Sequence, residues 1–250
     1  MTKAILLAAG RGSRVNVLTE TIPKCMISIE GKTLIQRHIE GLNSVGVDNI
    51  AIVAGYMSEK IDFDNVKKFL NPDFASTNMI YSLNCAKNFF ESDTIVLYAD
   101  VLLNRNIYKL LTESKENISI LVDKNWKRYW KFRFGENISQ DLEKLTYHNG
   151  KILEIGEGSN LDVEQIDGRY VGGIIVPKSK IKYFKEVDHF VSNASKIDFT
   201  SYLSNLIQMG EVVEPILIDG GWYEIDTYDD YSKLVEASEE DLKDLNLDLY

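Results

Sequence analysis

The feature that most constrains the fold is an apolar run, residues 4–9, that leads directly into the turn Gly10–Arg14 with the sequence GRGSR. The length of this run and its alanine, leucine and isoleucine content predict a short buried strand. Glycine permits positive φ and lets bare backbone N–H groups approach a ligand closely. Successive N–H groups beside cationic side chains form an anion-binding concavity. We therefore expect a strand-to-turn junction that binds a polyphosphate.

Two common phosphate-binding motifs are excluded by single residues. The dinucleotide fingerprint needs a third glycine, and that position is Val15. The segment Gly31–Thr33 looks like the end of a P-loop, but the glycine required five positions earlier is Met26. The alternative to phosphate binding is a glycine-rich turn that binds nothing. Such a turn has no use for the nearby cations Arg11, Arg14 and Lys24.

Composition and charge restrict the class of protein further. The chain has 250 residues, 44% of them hydrophobic, which is enough for one large domain with a real core. We expect no membrane partner, because no segment approaches the length of a membrane span. A net charge of −10 argues against a nucleic-acid partner. Two cysteines without metal-ligand spacing, and a predicted strand that starts right after Lys3, predict a cytoplasmic protein without a signal peptide.

The first half of the chain alternates predicted strands and helices. Strands are expected at 49–54, 94–98 and 118–122, and helices at 33–45, 78–89 and 107–111. This alternation indicates βαβ units, hence an α/β fold with a doubly wound, mostly parallel sheet. Ligands of such sheets bind outside the carboxyl ends of the strands. Both the glycine turn and Asp100 follow strands there.

The second half has a different pattern, typical of a smaller α+β lid. Asn149-Gly150 between alternating runs predicts a hairpin over 142–155. Further strands are expected at 170–176 and 212–218, and a helix at 199–209. Thr227, with Asp230 three residues later, predicts the start of a closing helix. Residues 238–250 are interpreted as a solvated helix or fraying tail.

The segment Leu6–Arg14 followed by Pro23-Lys24 resembles the signature of nucleotidyltransferases that activate sugar phosphates and related small phosphates. Three further segments, 77–83, 98–100 and 222–226, resemble landmarks of the choline-phosphate cytidylyltransferase branch. This branch includes relatives that act on 2-aminoethylphosphonate and on glutamine phosphate. The resemblance implies a Rossmann-like, GT-A-like single domain over residues 1–250. Its nucleotide-binding half would be 1–123, and its acceptor-binding lid 124–250.

The resemblance also implies the donor site. Mg²⁺ would be held by Asp100 and Asp226, although each could instead be a capping or turn aspartate. Lys24 would stabilise the α-phosphate and Arg14 the β- and γ-phosphates of CTP. The residues expected to cradle the triphosphate are Leu7, Ala8, Ala9, Gly10, Arg11, Gly12 and Ser13, with Arg11 turned toward solvent. Thr77, Asn78 and Ser82 are candidates for contacts to CTP, since their side chains offer donors and acceptors to a pyrimidine edge.

The acceptor site is expected around an aromatic segment at helical spacing. Trp126, Trp130 and Arg133 would either pack on the sheet or form a platform for the acceptor. Lys131 and Arg133 favour an acceptor with a carboxylate or extra negative charge, whereas a trimethylammonium group would favour an aromatic cage. Glu164, either an acceptor ligand or part of a solvated turn, and Tyr170 complete the set.

The predicted reaction is in-line attack by a phosphate or phosphonate oxygen on CTP, which expels pyrophosphate. The nucleophile is already ionised, so no general base is needed, and the three histidines lie apart from the motifs. One alternative is a sugar-1-phosphate nucleotidyltransferase that uses another NTP. A second is a catalytically inactive, nucleotide-binding interaction subunit. The pattern is also compatible with a homodimer.

Overall fold

The computed structural model describes residues 1–113, 115–156, 158 and 161–249. The strands of this part of the chain are β1 (Lys3–Ala8), β2 (Ser28–Ile29), β3 (Lys32–Thr33), β4 (Ile50–Ala54), β5 (Lys67–Leu70), β6 (Thr94–Tyr98), β7 (Val101–Leu103), β8 (Ile118–Asp123), β9 (Lys144–His148), β10 (Lys151–Gly156), β11 (Arg169–Val176), β12 (Val213–Ile218) and β13 (Trp222–Glu224). Its α-helices are α1 (Leu34–Ser44), α2 (Met79–Cys85), α3 (Arg105–Leu111), α4 (Lys127–Phe134), α5 (Lys182–Lys185), α6 (Phe199–Gln208), α7 (Tyr228–Glu236) and α8 (Glu239–Asp244).

Within the described ranges, seven strands form the central sheet in the order β12-β8-β11-β6-β1-β4-β5. Strand β1 lies between β6 and β4 and is parallel to both. Strand β11 is antiparallel to its neighbours β6 and β8. The predicted α/β fold with a mostly parallel sheet is confirmed.

Two strands from the second half of the chain lie within this sheet. Strands β11 and β12 take places within it, and β11 separates β6 from β8. The boundary expected at residue 123 therefore divides the sequence but not the sheet. A sequence pattern shows where strands lie along the chain, whereas their order in a sheet depends on long-range pairing.

Side chains alternate between the two faces of the sheet and build a core on each. Ala4, Leu6 and Ala8 of β1 pack in the core that contains α1, α3, α4 and α7, and Ile5 packs in the other with α2, α5 and α6. Helix α1 begins where predicted, because the Thr33 hydroxyl accepts from the Gln36 amide at 3.2 Å. None of the helices in the described ranges is long and apolar enough to cross a membrane.

The hairpin turn and the C-terminal segment can both be compared with their sequence-based predictions. The predicted hairpin is present, and Asn149 and Gly150 have φ of 49° and 73°, which a tight hairpin turn requires. The acidic end of the chain is not a solvated tail as a whole. Its alternate leucines are buried against the core, at Leu245, Leu247 and Leu249.

Candidate active site

The glycine turn packs directly on the side chain of Lys24. Gly12 has φ of 67°, and a Cβ built there would lie 2.8 Å from Cβ of Lys24. Glycine is therefore required both by the left-handed backbone and by this close approach. Pro23, with extended backbone, places Lys24 at the start of a short 3-10 helix, residues Lys24–Met26. The turn and the lysine thus form one unit at the carboxyl end of β1.

Lys24 is the cation at the centre of the site. Its side chain is only 10% exposed, and Nζ lies 2.6 Å from Oδ2 of Asp100 and 2.9 Å from Oδ1 of Asp226. Arg14, which is 69% exposed, donates from Nη2 to the same Asp226 oxygen at 3.0 Å. The structure therefore brings together four predicted residues that are up to 212 positions apart in the sequence.

A third carboxylate, which the sequence analysis did not select, belongs to this cluster. Asp100, Glu224 and Asp226 each offer an oxygen within 4.8 Å of the others. Strand β13 pairs with β7 so that Glu224 lies opposite Val101, the residue after Asp100. Glu224 and Asp226 are two positions apart at a strand end, and that spacing was the signal available in the sequence.

The environment shifts the pKa values of these groups in different directions. Burial raises the pKa of Glu224 to about 7, and repulsion from Asp226 and Asp100 adds to the effect. Burial opposes ionisation of Asp226 as well, but Lys24 and Arg14 hold its pKa below the ordinary value. Burial also disfavours the charged form of Lys24, yet Asp100, Asp226 and Glu224 outweigh it and raise the lysine pKa. Lys24 is thus a permanent cation among the three carboxylates.

Helix α4 supports this cluster from behind and does not form the predicted acceptor platform. Trp126 and Trp130 are 2% and 0% exposed, so they fill the core and cannot meet a ligand. Tyr129, on the same helix, donates its hydroxyl to the backbone carbonyl of Glu224 at 3.1 Å. The aromatic spacing therefore reflects packing on the sheet, which was the alternative reading of the segment.

Arg133 lies in the same buried region and not in an acceptor site. Its Nε donates to Oδ1 of Asp230 at 2.7 Å, and its Nη2 lies 3.5 Å from Oδ2 of Asp226. The guanidinium also lies 3.9 Å from Glu224. The side chain is only 4% exposed and is held by these acids, so the structure gives the predicted acceptor contact of Arg133 no support.

The other predicted acceptor residues are scattered. Lys131 pairs with Glu136 at 3.3 Å, with both side chains largely exposed. Glu164 pairs with Lys127 at 2.9 Å, again on the surface. Neither residue lines the cleft around Lys24. Tyr170, in contrast, is buried at the start of β11 in the wall of a cavity that adjoins this cleft.

In the segment predicted to contact the nucleotide base, the side chains make local hydrogen bonds. Buried Asn71 donates to the hydroxyls of Thr77 and Ser82 at 3.0 and 2.9 Å. Asn78 caps helix α2 by accepting from the Met79 amide at 2.8 Å. Thr77 and Ser82 therefore shape the loop before α2, while Asn78 and Met79 border the cavities.

Two adjoining cavities open at the carboxyl edge of the sheet. The first, about 290 Å³, is the cleft around Lys24 and is lined by Leu7, Ala8, Gly10, Gly12, Ser13, Arg14, Lys24, Cys25, Met79, Tyr98, Ala99, Asp100, Glu224 and Asp226. The second, about 350 Å³, shares Met79, Tyr98 and Glu224 with it. Two of the residues expected to cradle the triphosphate, Ala9 and Arg11, do not line the cleft around Lys24. The Ala9 carbonyl accepts from the Tyr56 amide at 3.0 Å, and Arg11 lies 5.4 Å from the centre of the Tyr56 ring.

The fold and the cleft define a class of protein, a nucleotide-binding transferase, and comparison with known proteins supports this. The family model of the MobA-like NTP transferase domain matches residues 4–155. A CTP:phosphoglutamine cytidylyltransferase from Campylobacter jejuni is 33% identical, over 93% of this chain and 99% of the relative. A choline-phosphate cytidylyltransferase from Streptococcus pneumoniae is 28% identical, over 94% of this chain and 97% of the relative.

A solved structure of a CTP:phosphocholine cytidylyltransferase from S. pneumoniae is similar in fold, with a TM-score of 0.72 at 25% identity. It covers 94% of this chain and 98% of that protein. The chain therefore belongs to the MobA-like NTP transferase family and, within it, to the cytidylyltransferases. The family expected from residues 6–24 and the later landmarks is confirmed, and the protein is an enzyme.

Proposed function

We propose that the protein transfers CMP from CTP to a small phosphorylated acceptor, with Mg²⁺, and releases pyrophosphate. The observation that carries this proposal is the contact of Lys24 with both Asp100 and Asp226 directly below the glycine turn. Cation, acids and bare backbone N–H groups meet in one cleft, as nucleotidyl transfer requires.

The chain's own residues have separable tasks on the donor side. The N–H groups of residues 10–13 face the triphosphate, and exposed Arg14 moves from Asp226 onto the β- and γ-phosphates. Lys24 places a positive charge at the α-phosphate as that phosphorus becomes five-coordinate. An acceptor phosphate oxygen forms the new bond to the α-phosphorus, and the bond from that phosphorus to the bridging oxygen breaks. Both electrons of the broken bond leave with pyrophosphate.

The carboxylate cluster fits Mg²⁺. Asp100, Glu224 and Asp226 supply hard oxygen ligands within 4.8 Å of one another, and magnesium is bound by few carboxylates together with phosphates. When bound, the metal would neutralise phosphate charge and polarise the α-phosphate. Arg133 and Tyr129 would keep the cluster oriented from behind.

The acceptor would be a phosphate or phosphonate of the glutamine phosphate, choline phosphate or 2-aminoethylphosphonate type. Two such acceptors occur in the names of the relatives, phosphoglutamine and phosphocholine. The nucleophilic oxygen is already ionised at neutral pH, so the site needs no base. Accordingly, the described residues that line the cleft include no histidine.

A two-dimensional substrate panel tests the proposal. Purified protein is incubated with CTP, UTP, ATP, GTP or dTTP and with phosphoglutamine, phosphocholine, 2-aminoethylphosphonate or glucose 1-phosphate. We expect magnesium-dependent pyrophosphate release with CTP and a CMP-linked product by mass spectrometry. Equal or faster turnover of UTP or dTTP with glucose 1-phosphate would instead identify a sugar-1-phosphate nucleotidyltransferase. No turnover in any combination would indicate a nucleotide-binding subunit without activity.

Matched variants connect the activity to the cleft. Lys24→Met and Asp226→Asn should each lose the CTP-dependent signal. Arg105→Met, an exposed cation at the start of helix α3, is the control and should retain it. Full activity in both cleft variants would refute the assignment of the site.

A further inference from the structure

The second cavity contains a cation and an acid that the donor reaction does not use. It is bordered by Glu143, Arg169, Tyr170 and Thr200, and it joins the catalytic cleft at Tyr98 and Glu224. We propose that it binds the α-amino-acid end of the acceptor, with Arg169 pairing the carboxylate and Glu143 the ammonium group. The inference rests on the proposed function, since the acceptor's phosphate has to reach the catalytic cleft.

Arg169 is an anchored cation at the edge of the sheet where ligands are expected. It begins β11, whose antiparallel direction puts this end beside the carboxyl ends of β6 and β8. Its guanidinium lies 4.4 Å from the centre of the Trp130 ring, Nη1 donates to the Asp141 carbonyl at 3.0 Å, and Nη2 lies 3.6 Å from the exposed carboxylate of Asp141. A guanidinium has five N–H donors in a planar fork, so donors remain for a carboxylate ligand.

Glu143 is the acid that keeps acceptor capacity toward the cavity. Its Oε1 accepts from the Thr200 hydroxyl at 2.5 Å, and a carboxylate accepts further hydrogen bonds. Burial raises the pKa of Glu143, while the positive charge of Arg169 acts in the opposite direction. Asp198 also borders the cavity but is committed to capping α6. Its oxygens accept from the Ser201 amide at 2.7 Å and the Ser201 hydroxyl at 2.8 Å.

The remaining wall is aromatic and preformed. Tyr98 contacts Tyr170 and Phe199 edge-on, with ring centres 5.8 and 5.9 Å apart. Gly172, at φ of 73°, makes room for Tyr98, since a Cβ there would lie 2.6 Å from its ring. This wall offers the apolar surface for a short methylene chain between the charged end and the phosphate.

The pair of charges discriminates between acceptor classes. An amino acid presents both an ammonium and a carboxylate group, so Glu143 and Arg169 are both satisfied. A trimethylammonium group suits the aromatic wall and Glu143, but it brings a second positive charge next to Arg169, and like charges in a desolvated site are costly. Phosphoglutamine, the acceptor in the name of the C. jejuni relative, carries both groups.

The experiment compares kcat/KM for four acceptors with saturating CTP and Mg²⁺. They are N5-phospho-L-glutamine, its analogue without the α-amino group, its analogue without the α-carboxylate, and phosphocholine. We expect the wild-type enzyme to prefer the complete amino acid by about 10- to 100-fold over each analogue and over phosphocholine, the range for a lost charged hydrogen bond.

Two variants assign the groups. Arg169→Met should lower kcat/KM for phosphoglutamine, mainly through KM, and leave the analogue without the carboxylate within about twofold of wild type. Glu143→Gln should lower kcat/KM for every acceptor except the analogue without the amino group. Arg105→Met and Glu40→Gln, at exposed positions away from the cavity, are the controls. If Arg169→Met does not fold, the wild-type acceptor series and Arg169→Lys still test the inference.

Three results would overturn the inference. The wild-type enzyme could use phosphocholine or the decarboxylated analogue as well as phosphoglutamine. Arg169→Met could slow all four acceptors equally, as a packing role on Trp130 would. Arg169→Met could also leave phosphoglutamine unaffected. Failure of the proposed function can be distinguished from failure of this inference, because the protein would then transfer CMP to none of the four acceptors.

Discussion

Arg133 on helix α4 forms a two-point ion pair with Asp230 in the first turn of helix α7, with Nε–Oδ1 at 2.7 Å and Nη2–Oδ2 at 2.9 Å. The same Oδ2 of Asp230 accepts from the backbone amide of Asp226 at 3.1 Å. Arg133 is therefore linked to Asp226 both directly and through the cap of α7. This buried network orients a carboxylate of the cluster proposed to bind Mg²⁺, so we regard Arg133 as a positioning residue.

Arg133→Met should weaken magnesium binding more than nucleotide binding. Losing the guanidinium leaves Asp230 and Asp226 without their shared partner, and Oδ2 of Asp226 loses the contact that helps to orient it. We expect the Mg²⁺ concentration for half-maximal activity to rise on the order of tenfold, as for loss of a group that orients a metal ligand. Direct calorimetric titration with Mg²⁺ checks this independently of turnover. An unchanged magnesium affinity in a folded Arg133→Met protein would contradict the role.

Lys24→Met should lower both stability and kcat, but added Mg²⁺ should restore only the stability. Without Lys24, the cluster of three carboxylates loses its buried cation. In EDTA we expect a loss of roughly 2–3 kcal/mol in unfolding free energy, below the range for a fully buried broken pair. Added Mg²⁺ should restore part of this stability, while kcat stays about 10²- to 10³-fold down. Denaturant titrations with and without Mg²⁺, alongside kcat, provide the test, and a variant that keeps wild-type kcat would refute it.

Gly12→Ala tests the contact between the turn and Lys24. The variant combines a strained positive φ of 67° with a Cβ 2.8 Å from the lysine side chain. Gly46→Ala is the matched control, because φ there is 80° and a Cβ would meet nothing within 4 Å. Both variants should lose about 1–2 kcal/mol of stability from the left-handed backbone, but only Gly12→Ala should lower kcat. Equal kcat in the two variants would show that the contact does not position Lys24.

His38 should make the stability depend on pH. It is buried beside Tyr108, with the hydroxyl 3.0 Å from Nδ1, and burial lowers the pKa of His38 to about 4 from an ordinary 6.5. The unfolded chain therefore binds more protons between pH 6.5 and 4, and stability falls as pH drops through that window. The contribution is complete above pH 6.5 and amounts to roughly 3 kcal/mol.

The check is the unfolding free energy of wild type and His38→Gln at pH 7 and at pH 4, with NMR titration of the imidazole. We expect the variant to lose less stability on acidification. An imidazole that titrates near pH 6.5 in the folded protein would disprove the prediction.

The first half of the fold was predictable because its signals are local. Strand β6, Thr94–Tyr98, has its predicted bounds, since a short apolar run ended by turn residues leaves little ambiguity. In the second half, the cap at Thr227 is likewise a local hydrogen-bonding pattern, and the structure shows it with Asp230. The glycine turn was predictable as well, because a backbone that needs positive φ selects glycine.

The acceptor side was not predictable in the same way. Trp126 and Trp130 have a spacing that suits both a core-facing helix and a ligand platform, and only their burial distinguishes the two. Glu143 and Arg169 carry no motif, and they meet in one cavity because β11 enters the sheet antiparallel.

By itself, the sequence determined the family and the doubly wound sheet, and it selected Gly12, Lys24, Asp100 and Asp226, which the structure brings together. These follow from contiguous motifs, in which backbone conformation and residue type act over a few positions. The tertiary structure alone decided that Glu224 joins the carboxylates, that Arg133 supports them, and that the second cavity holds charges of both signs. The physical reason is that such groups become neighbours through long-range strand pairing and burial, which local sequence patterns do not specify.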